Sequence, residues 1–284
     1  MRSTGEPGWD RRREFAGLET FWREAPAAGD PVLYLHGAPT NSDDFLPFLE
    51  RTGGVAPDLP GFGRSAKPAD FDYSITGYAR FLEAFVRELG MDRFSLVVHD
   101  WGAVGLALPD ELLARLERVV IVNAVPLLPA YRWHRIARLW RTPVVGELTM
   151  GFTTRWGLRQ LSRAALVADG PAPDDLIDRV WDHFDHGTQR AILKLYRSAP
   201  PEELVRAGGR LAAIRAPALV VWGERDPYIP AVFARSYAGT LGGRAQVELV
   251  EDAGHWPWLD RPDAADLVCR FLSGGSEVTG AGRG

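Results

Sequence analysis

The 284-residue chain predicts an α/β fold in which a mostly parallel central sheet is covered by helices and a helical lid is inserted. Three observations carry this expectation. Four short apolar runs, PVLYLHG (Pro31–Gly37), FSLVVHD (Phe94–Asp100), RVVIVNA (Arg118–Ala124) and APALVVWG (Ala216–Gly223), are rich in Val, Leu or Ile and run into Gly, Asp or Asn. They alternate with segments of helical period, which is the pattern of a parallel sheet buried on both faces. Between the third and fourth runs lies a long Arg- and Trp-rich block with no convincing strand.

In chain order, REFAGLETFWREA (Arg13–Ala25) alternates and predicts an antiparallel hairpin at the sheet edge. The strand at Pro31–Gly37 follows. YSITGYARFLEAFVRELGM (Tyr73–Met91) has apolar residues at helical spacing and stops at Gly90. The run at Phe94–Asp100 turns sharply into a helical pattern at DWGA. The block from Pro126 to Leu211 is expected to lie over the carboxyl edge of the sheet, where open α/β sheets hold their ligands. AQVELVEDAG (Ala245–Gly254) reads as the last strand. These expectations divide the chain into a core of residues 1–125 and 212–272 and a helical cap of residues 126–211. The Gly- and Ser-rich tail, residues 273–284, is expected to be disordered.

Composition excludes several classes. The chain is 46% hydrophobic and 25% charged, with a formal net charge of −4, so nothing announces a nucleic-acid partner. No apolar run reaches the length of a membrane span, and the start shows no apolar signal region. The single cysteine, Cys269, leaves no internal disulfide and fits a reducing compartment. The expectation is a cytoplasmic protein without membrane or nucleic-acid partners; oligomeric state is not legible. DHFDH places His183 and His186 three apart, a spacing that metal ligands also use, but companion ligands are missing and a polar lid face is the better reading. GFGRS lacks the lysine and spacing of a phosphate loop. No metal or cofactor is expected.

The chemistry concentrates at three strand ends. Asp100 ends the second run, Asp226 follows the fourth in WGERDPYIP, and His255 follows the last strand in EDAGHWPWLDRP. Alone, Asp100 reads as well as a helix N-cap, and a lone histidine is more often structural. Together they give an acid–acid–histidine order, with each member at a carboxyl end. That is the nucleophile–acid–histidine order of the α/β-hydrolase fold, which the chain resembles over nearly its whole length. LHGAPT is similar to that fold's oxyanion loop (His36, Gly37, Ala38, Pro39), and DLPGFGRS (Asp58–Ser65) to its turn after the next strand.

Within the fold, HDWG resembles the epoxide hydrolases and haloalkane dehalogenases, which share an aspartate nucleophile. The resemblance implies that Asp100 attacks saturated carbon to form an alkyl ester of the enzyme. His255 then activates water, Asp226 orients His255, and the backbone N–H groups of Ala38 and Trp101 hold the ester oxygen. Small apolar epoxides or haloalkanes are the implied substrates. Tyr196 in KLYRSAPPEEL resembles the lid tyrosine of epoxide hydrolases, with Tyr131 a second candidate for stabilising the leaving group. HGAP fits the same family's loop. Many dehalogenases carry an amide where this chain has Ala38, although Trp133, Trp140, Trp156 or Trp181 could replace it. The residues therefore favour epoxide hydrolysis, with carbon–halogen hydrolysis as the alternative. A non-catalytic binding protein on the same scaffold, and a serine esterase, are weaker alternatives, since the elbow carries no serine and the constellation is intact.

Overall fold

A computed structural model describes residues 8–167 and 174–274. Its centre is an eight-stranded sheet in the order β1-β2-β4-β3-β5-β6-β7-β8. The strands are β1 (Asp10–Phe15), β2 (Leu18–Ala25), β3 (Val32–Leu35), β4 (Gly54–Pro57), β5 (Phe94–Asp100), β6 (Leu116–Ala124), β7 (Ala218–Gly223) and β8 (Ala245–Val250). β1 and β2 form the expected edge hairpin, turning at Ala16-Gly17, and β2 pairs antiparallel with β4. Every other pairing is parallel.

The apolar runs are continuous because both faces of the sheet are covered. Leu96 and Val98 of β5 face one apolar cluster while Val97 faces the other. Val220 and Trp222 of β7 likewise oppose Leu219 and Val221. A strand with period-two side chains and a core on each face needs apolar residues at every position. The edge strand β8 is only half-buried throughout.

The helices are α1 (Leu46–Thr52), α2 (Ile75–Glu88), α3 (Asp110–Leu113), α4 (Arg135–Arg141), α5 (Val145–Gly151), α6 (Arg155–Ala164), α7 (Asp174–Trp181), α8 (His186–Ser198), α9 (Pro201–Ala207), α10 (Val232–Thr240), α11 (Pro257–Asp260) and α12 (Pro262–Leu272). Ser74 caps α2 by accepting the Gly77 N–H, and Gly90 follows the helix with φ +67°; such a serine cap contributes about 1 kcal/mol. Six helices, α4 to α9, form the inserted lid between β6 and β7. Lid and core are tied by polar contacts: Asn41 Nδ2 donates to the Arg179 carbonyl, Lys67 Nζ to the His183 carbonyl, and the Tyr228 hydroxyl to the Leu161 carbonyl. Of the tail expected to be disordered, residues 275–284 lie outside the described residues. No helix among the described residues is long and apolar enough to cross a membrane.

Candidate active site

β5 delivers Asp100 to the carboxyl edge and the chain then reverses abruptly. Asp100 sits at φ 48°, ψ −119°, left-handed backbone that a non-glycine residue rarely adopts. Holding such a conformation costs about 1–3 kcal/mol, and surrounding packing must impose it. Small neighbours make room for the turn. A Cβ on Gly102 would meet the Leu35 carbonyl, its carbon at 2.7 Å. A Cβ on Gly37 would stand 2.5 Å from Asp100 Oδ1.

The loop after β3 supplies the groups around the carboxylate. The Ala38 N–H donates to Asp100 Oδ1 at 2.9 Å, and the Trp101 N–H acts on the same carboxylate. His36 shapes this loop. Its Nε2 accepts the Leu59 N–H at 2.9 Å, so Nδ1 carries the proton and donates to the Gly37 carbonyl at 2.7 Å. Burial lowers its pKa and keeps it neutral. Pro39 lines the cavity beyond, after a cis Ala38–Pro39 peptide. Beneath the loop, Asp43 bonds Arg23 and Arg64, each at 2.7 Å, while Asp58 accepts the N–H groups of Ser42 and Arg64. The DLPGFGRS turn is thus the buttress of the loop.

The other two residues converge as their strand ends require. His255 Nδ1–H donates to Asp226 Oδ2 at 2.8 Å, and His255 Nε2 stands 3.6 Å from Asp100 Oδ2. Asp226 also accepts the N–H groups of Tyr228 and Ile229 on Oδ1, at 2.8 and 3.1 Å. Asn123, at the end of β6 with φ 39°, donates to Asp226 Oδ2 at 2.6 Å and accepts the Gly223 N–H. His99 lies behind His255 and donates from Nε2 to its carbonyl.

Electrostatics separate the two acids. Burial opposes ionisation of both. For Asp226 the His255 charge and the converging donors win, and its pKa falls below the usual carboxylate value. For Asp100 burial wins and the pKa rises, although His255, Ala38 and Trp101 oppose it. Burial disfavours the His255 imidazolium, but the Asp226 charge and hydrogen bond, with Asp100, raise its pKa above the ordinary histidine value. The site can therefore set a carboxyl group beside a histidine whose charged form the two acids favour.

A cavity of about 260 Å³ opens on Asp100 and His255 beneath the lid. Ala38, Pro39 and Tyr196 share its wall. Burial pushes the Tyr196 hydroxyl far above its ordinary pKa, so it is a hydrogen-bond donor. The Trp101 indole stands edge-on to the Tyr196 ring, centroids 5.1 Å apart. Its buried N–H lies near the phenolic oxygen without reaching hydrogen-bond geometry and has no other acceptor among the described residues. Tyr131 does not line the cavity: its buried hydroxyl has no hydrogen-bond partner among the described residues, and its ring packs on Trp133 and Phe233. Burial and then the Asp100 and Asp226 charges raise its pKa, so the hydroxyl lies within the field of both acids although its ring packs beside α10. Of the tryptophans considered as amide substitutes, Trp133 spends its N–H on the Ala199 carbonyl, Trp156 is 71% exposed, and Trp140 lines the cavity.

His134 does line the cavity, three residues after Tyr131. As N-cap of α4 its Nδ1 accepts the Ala137 N–H, so Nε2 carries the proton. Burial, with the His255 charge, lowers its pKa to about 4, leaving a neutral donor.

A profile described as the alpha/beta hydrolase family matches residues 32–265, a span that includes Asp100, Asp226 and His255. The chain belongs to the alpha/beta hydrolase family. A haloalkane dehalogenase of Mycobacterium marinum is 32% identical to this hydrolase over 275 residues, covering 88% of this chain and 86% of the relative. The crystal structure of haloalkane dehalogenase DbeA from Bradyrhizobium elkani is 25% identical with a TM-score of 0.79, covering 93% of this chain and 97% of that one. The epoxide hydrolase CorEH shares the fold at a TM-score of 0.80, with 18% identity and coverage of 93% of this chain and 98% of that one. The hydrolase thus falls in the group of epoxide hydrolase- and dehalogenase-like enzymes. The M. marinum relative is named a haloalkane dehalogenase, whereas Tyr196 and the HGAP loop resemble features of epoxide hydrolases.

Proposed function

We propose that this hydrolase cleaves carbon–halogen bonds through a covalent alkyl ester on Asp100. The observation that carries the reading is the buried Trp101 indole N–H, on the residue after Asp100 and near the Tyr196 hydroxyl of the cavity wall, which makes no hydrogen bond among the described residues. A departing halide needs such a donor, polarised but not acidic. The named relatives support the same choice. In the first step an Asp100 oxygen bonds to the substrate carbon as the carbon–halogen bond breaks, and the halide leaves with the electron pair. In the second, His255 takes a proton from water, whose oxygen attacks the carboxyl carbon of the ester. The oxygen that becomes negative is held by the N–H groups of Ala38 and Trp101. The alcohol then leaves with the proton from His255. Asp226 holds the imidazole by Nδ1–H and stabilises its charge.

A second reading, epoxide opening, is supported by the Tyr196 hydroxyl on the cavity wall, which can protonate an alkoxide. His255→Gln separates the two. The first step needs no base, so the variant should accumulate an ester on Asp100 and not hydrolyse it. Intact-mass spectrometry should show the haloalkane less hydrogen halide after incubation with a short haloalkane, or the whole added mass of an epoxide after incubation with styrene oxide. An adduct from the epoxide alone overturns the dehalogenase reading. If wild type turns over a substrate and the variant leaves Asp100 unmodified, the two-step mechanism is wrong.

A further inference from the structure

The lid carries a surface unlike the rest of the hydrolase. Among the described residues, the large apolar side chains left exposed include six between residues 139 and 156: Leu139, Val144, Val145, Leu148, Phe152 and Trp156. Only Val205 and Val232 lie elsewhere. Val144, Leu148 and Phe152 recur every fourth residue, along one face of α5 and its flanks, and Phe152 is 80% exposed. The opposite side of the same segment, through Thr149, Met150 and Thr153, lines the active-site cavity. An ordinary surface helix buries its apolar stripe and shows a polar one; α5 shows its apolar stripe.

Charge distinguishes the same region. Residues 132–166 contain seven arginines and one acid, Glu147, a formal charge of +6 in a chain whose total is −4. Glu147 is itself neutralised by two bonds from Arg197, at 2.6 and 2.8 Å. Arg155 pairs with Asp178 on α7. Arg135 and Arg138 on α4 and Arg163 on α6 are exposed and form no ion pair among the described residues.

We infer that this face of the lid is a docking surface for an anionic lipid bilayer, with Phe152 and Trp156 entering the interface and the arginines of α4 and α6 meeting the headgroups. Apolar side chains that include a tryptophan, flanked by arginine, complement a negatively charged layer with an apolar interior. The contact is peripheral, not a span. It also has a use: apolar substrates concentrate in lipid, and one helix here separates that lipid from the cavity. The inference does not rest on which bond the enzyme hydrolyses, because binding is read without turnover.

The test is flotation of the full-length protein with phosphatidylcholine vesicles and with vesicles that also contain phosphatidylglycerol. Binding should require the anionic lipid and should weaken as salt shortens the Debye length below ~8 Å. Arg135→Ala with Arg138→Ala should weaken it about 25-fold, roughly five-fold per charge removed at the surface. Phe152→Asp with Trp156→Asp should abolish it. All four side chains lie outside the catalytic constellation, so turnover of a water-soluble substrate and the melting temperature should hold; if the aspartate pair melts early, the arginine pair decides alone. No flotation with anionic vesicles, or equal flotation with neutral ones, overturns the inference. So does a dimer on size-exclusion chromatography that the Phe152/Trp156 variant dissolves, because a second copy would then cover the patch.

Discussion

Gly37→Ala tests whether the position of Asp100 controls the rate. Gly37 is not in the left-handed region, so alanine brings no backbone penalty, and the effect must come from the added methyl group. That methyl would strike Asp100 Cβ first and would stand 2.5 Å from Oδ1 and 2.8 Å from Cγ, where ordinary contact begins at 3.4 Å. Relief at Oδ1 requires a shift of about 0.9 Å, the difference between 3.4 and 2.5 Å, and relief at Cβ slightly more. The Ala38 N–H bond to the same oxygen, now 2.9 Å, would break or stretch. Reacting groups misplaced by about 1 Å can lose ~10²-fold in rate, so kcat should fall by about that factor. Overpacking of this kind costs about 1–3 kcal/mol of stability, leaving a folded protein to assay. Gly102→Ala is the contrasting variant, because its Cβ would strike the Leu35 backbone carbonyl, which cannot rotate away; it should lose the fold before it loses chemistry. The assay is steady-state halide release beside thermal unfolding. A Gly37→Ala enzyme with kcat within about ten-fold of wild type would refute the claim that Oδ1 must sit where Ala38 holds it.

Other perturbations separate the leaving-group donor, the histidine partner and the loop support. Trp101→Phe keeps ring contact with Trp133 and Tyr196 but removes the N–H; halide release should drop about 10²-fold, and an unchanged rate would show that the indole does not hold the leaving group. Asp226→Asn removes the largest influence raising the His255 pKa. His255 must be neutral to act as base, so wild-type hydrolysis rises with pH through its raised pKa, and in the variant that limb should move to lower pH; a limb that stays put contradicts the assignment. The sign for stability is separate: the raised His255 pKa contributes stability below its unfolded value of about 6.5, lost as pH rises through the folded value. Asp43→Asn leaves Arg23, 4% exposed, beside only the exposed Asp10, and should cost about 3–5 kcal/mol. Because burial is outweighed by Arg64 and then Arg23 in lowering the Asp43 pKa, the wild-type contribution is present above about pH 3.9 and lost as pH falls through the folded value. Urea titration at neutral and acid pH reads both effects.

What was legible in the sequence was what the sheet forces. A strand buried on both faces must be apolar throughout, so β3, β5, β6 and β7 announce themselves, and parallel strands all end on one edge. Asp100, Asp226 and His255 could therefore be grouped from chain order alone. Asn123 could not be given its part. It sits one residue before the end of the run RVVIVNA, and its amide, from the adjacent strand end, donates to Asp226 at 2.6 Å. The signal available was a polar residue closing a buried apolar run, which asks for a partner; naming that partner required the β6–β7 register.

The lid was less legible for a physical reason. Helical period shows that a segment has an apolar face but not what that face meets, and both a core and a cavity are apolar. Tyr131 and His134 illustrate the ambiguity. Each is a polar aromatic just before α4, three residues apart. The residue with the family-like side chain packs against Phe233, while the histidine reaches the cavity because its Nδ1 is used as the helix cap. The cap fixes the tautomer, and burial keeps the ring neutral, so the cavity gains an N–H donor where a second phenol was expected. His134 and Tyr196 thus give the cavity wall an imidazole and a phenol donor, with the Trp101 indole N–H buried next to the phenol. A carboxylate nucleophile displaces halides and opens epoxides by the same attack. Under the proposed mechanism, the choice between the two depends on whether the leaving group needs a proton or only a polarised N–H, and the donors contributed from the lid and the elbow make that choice, not Asp100, Asp226 and His255.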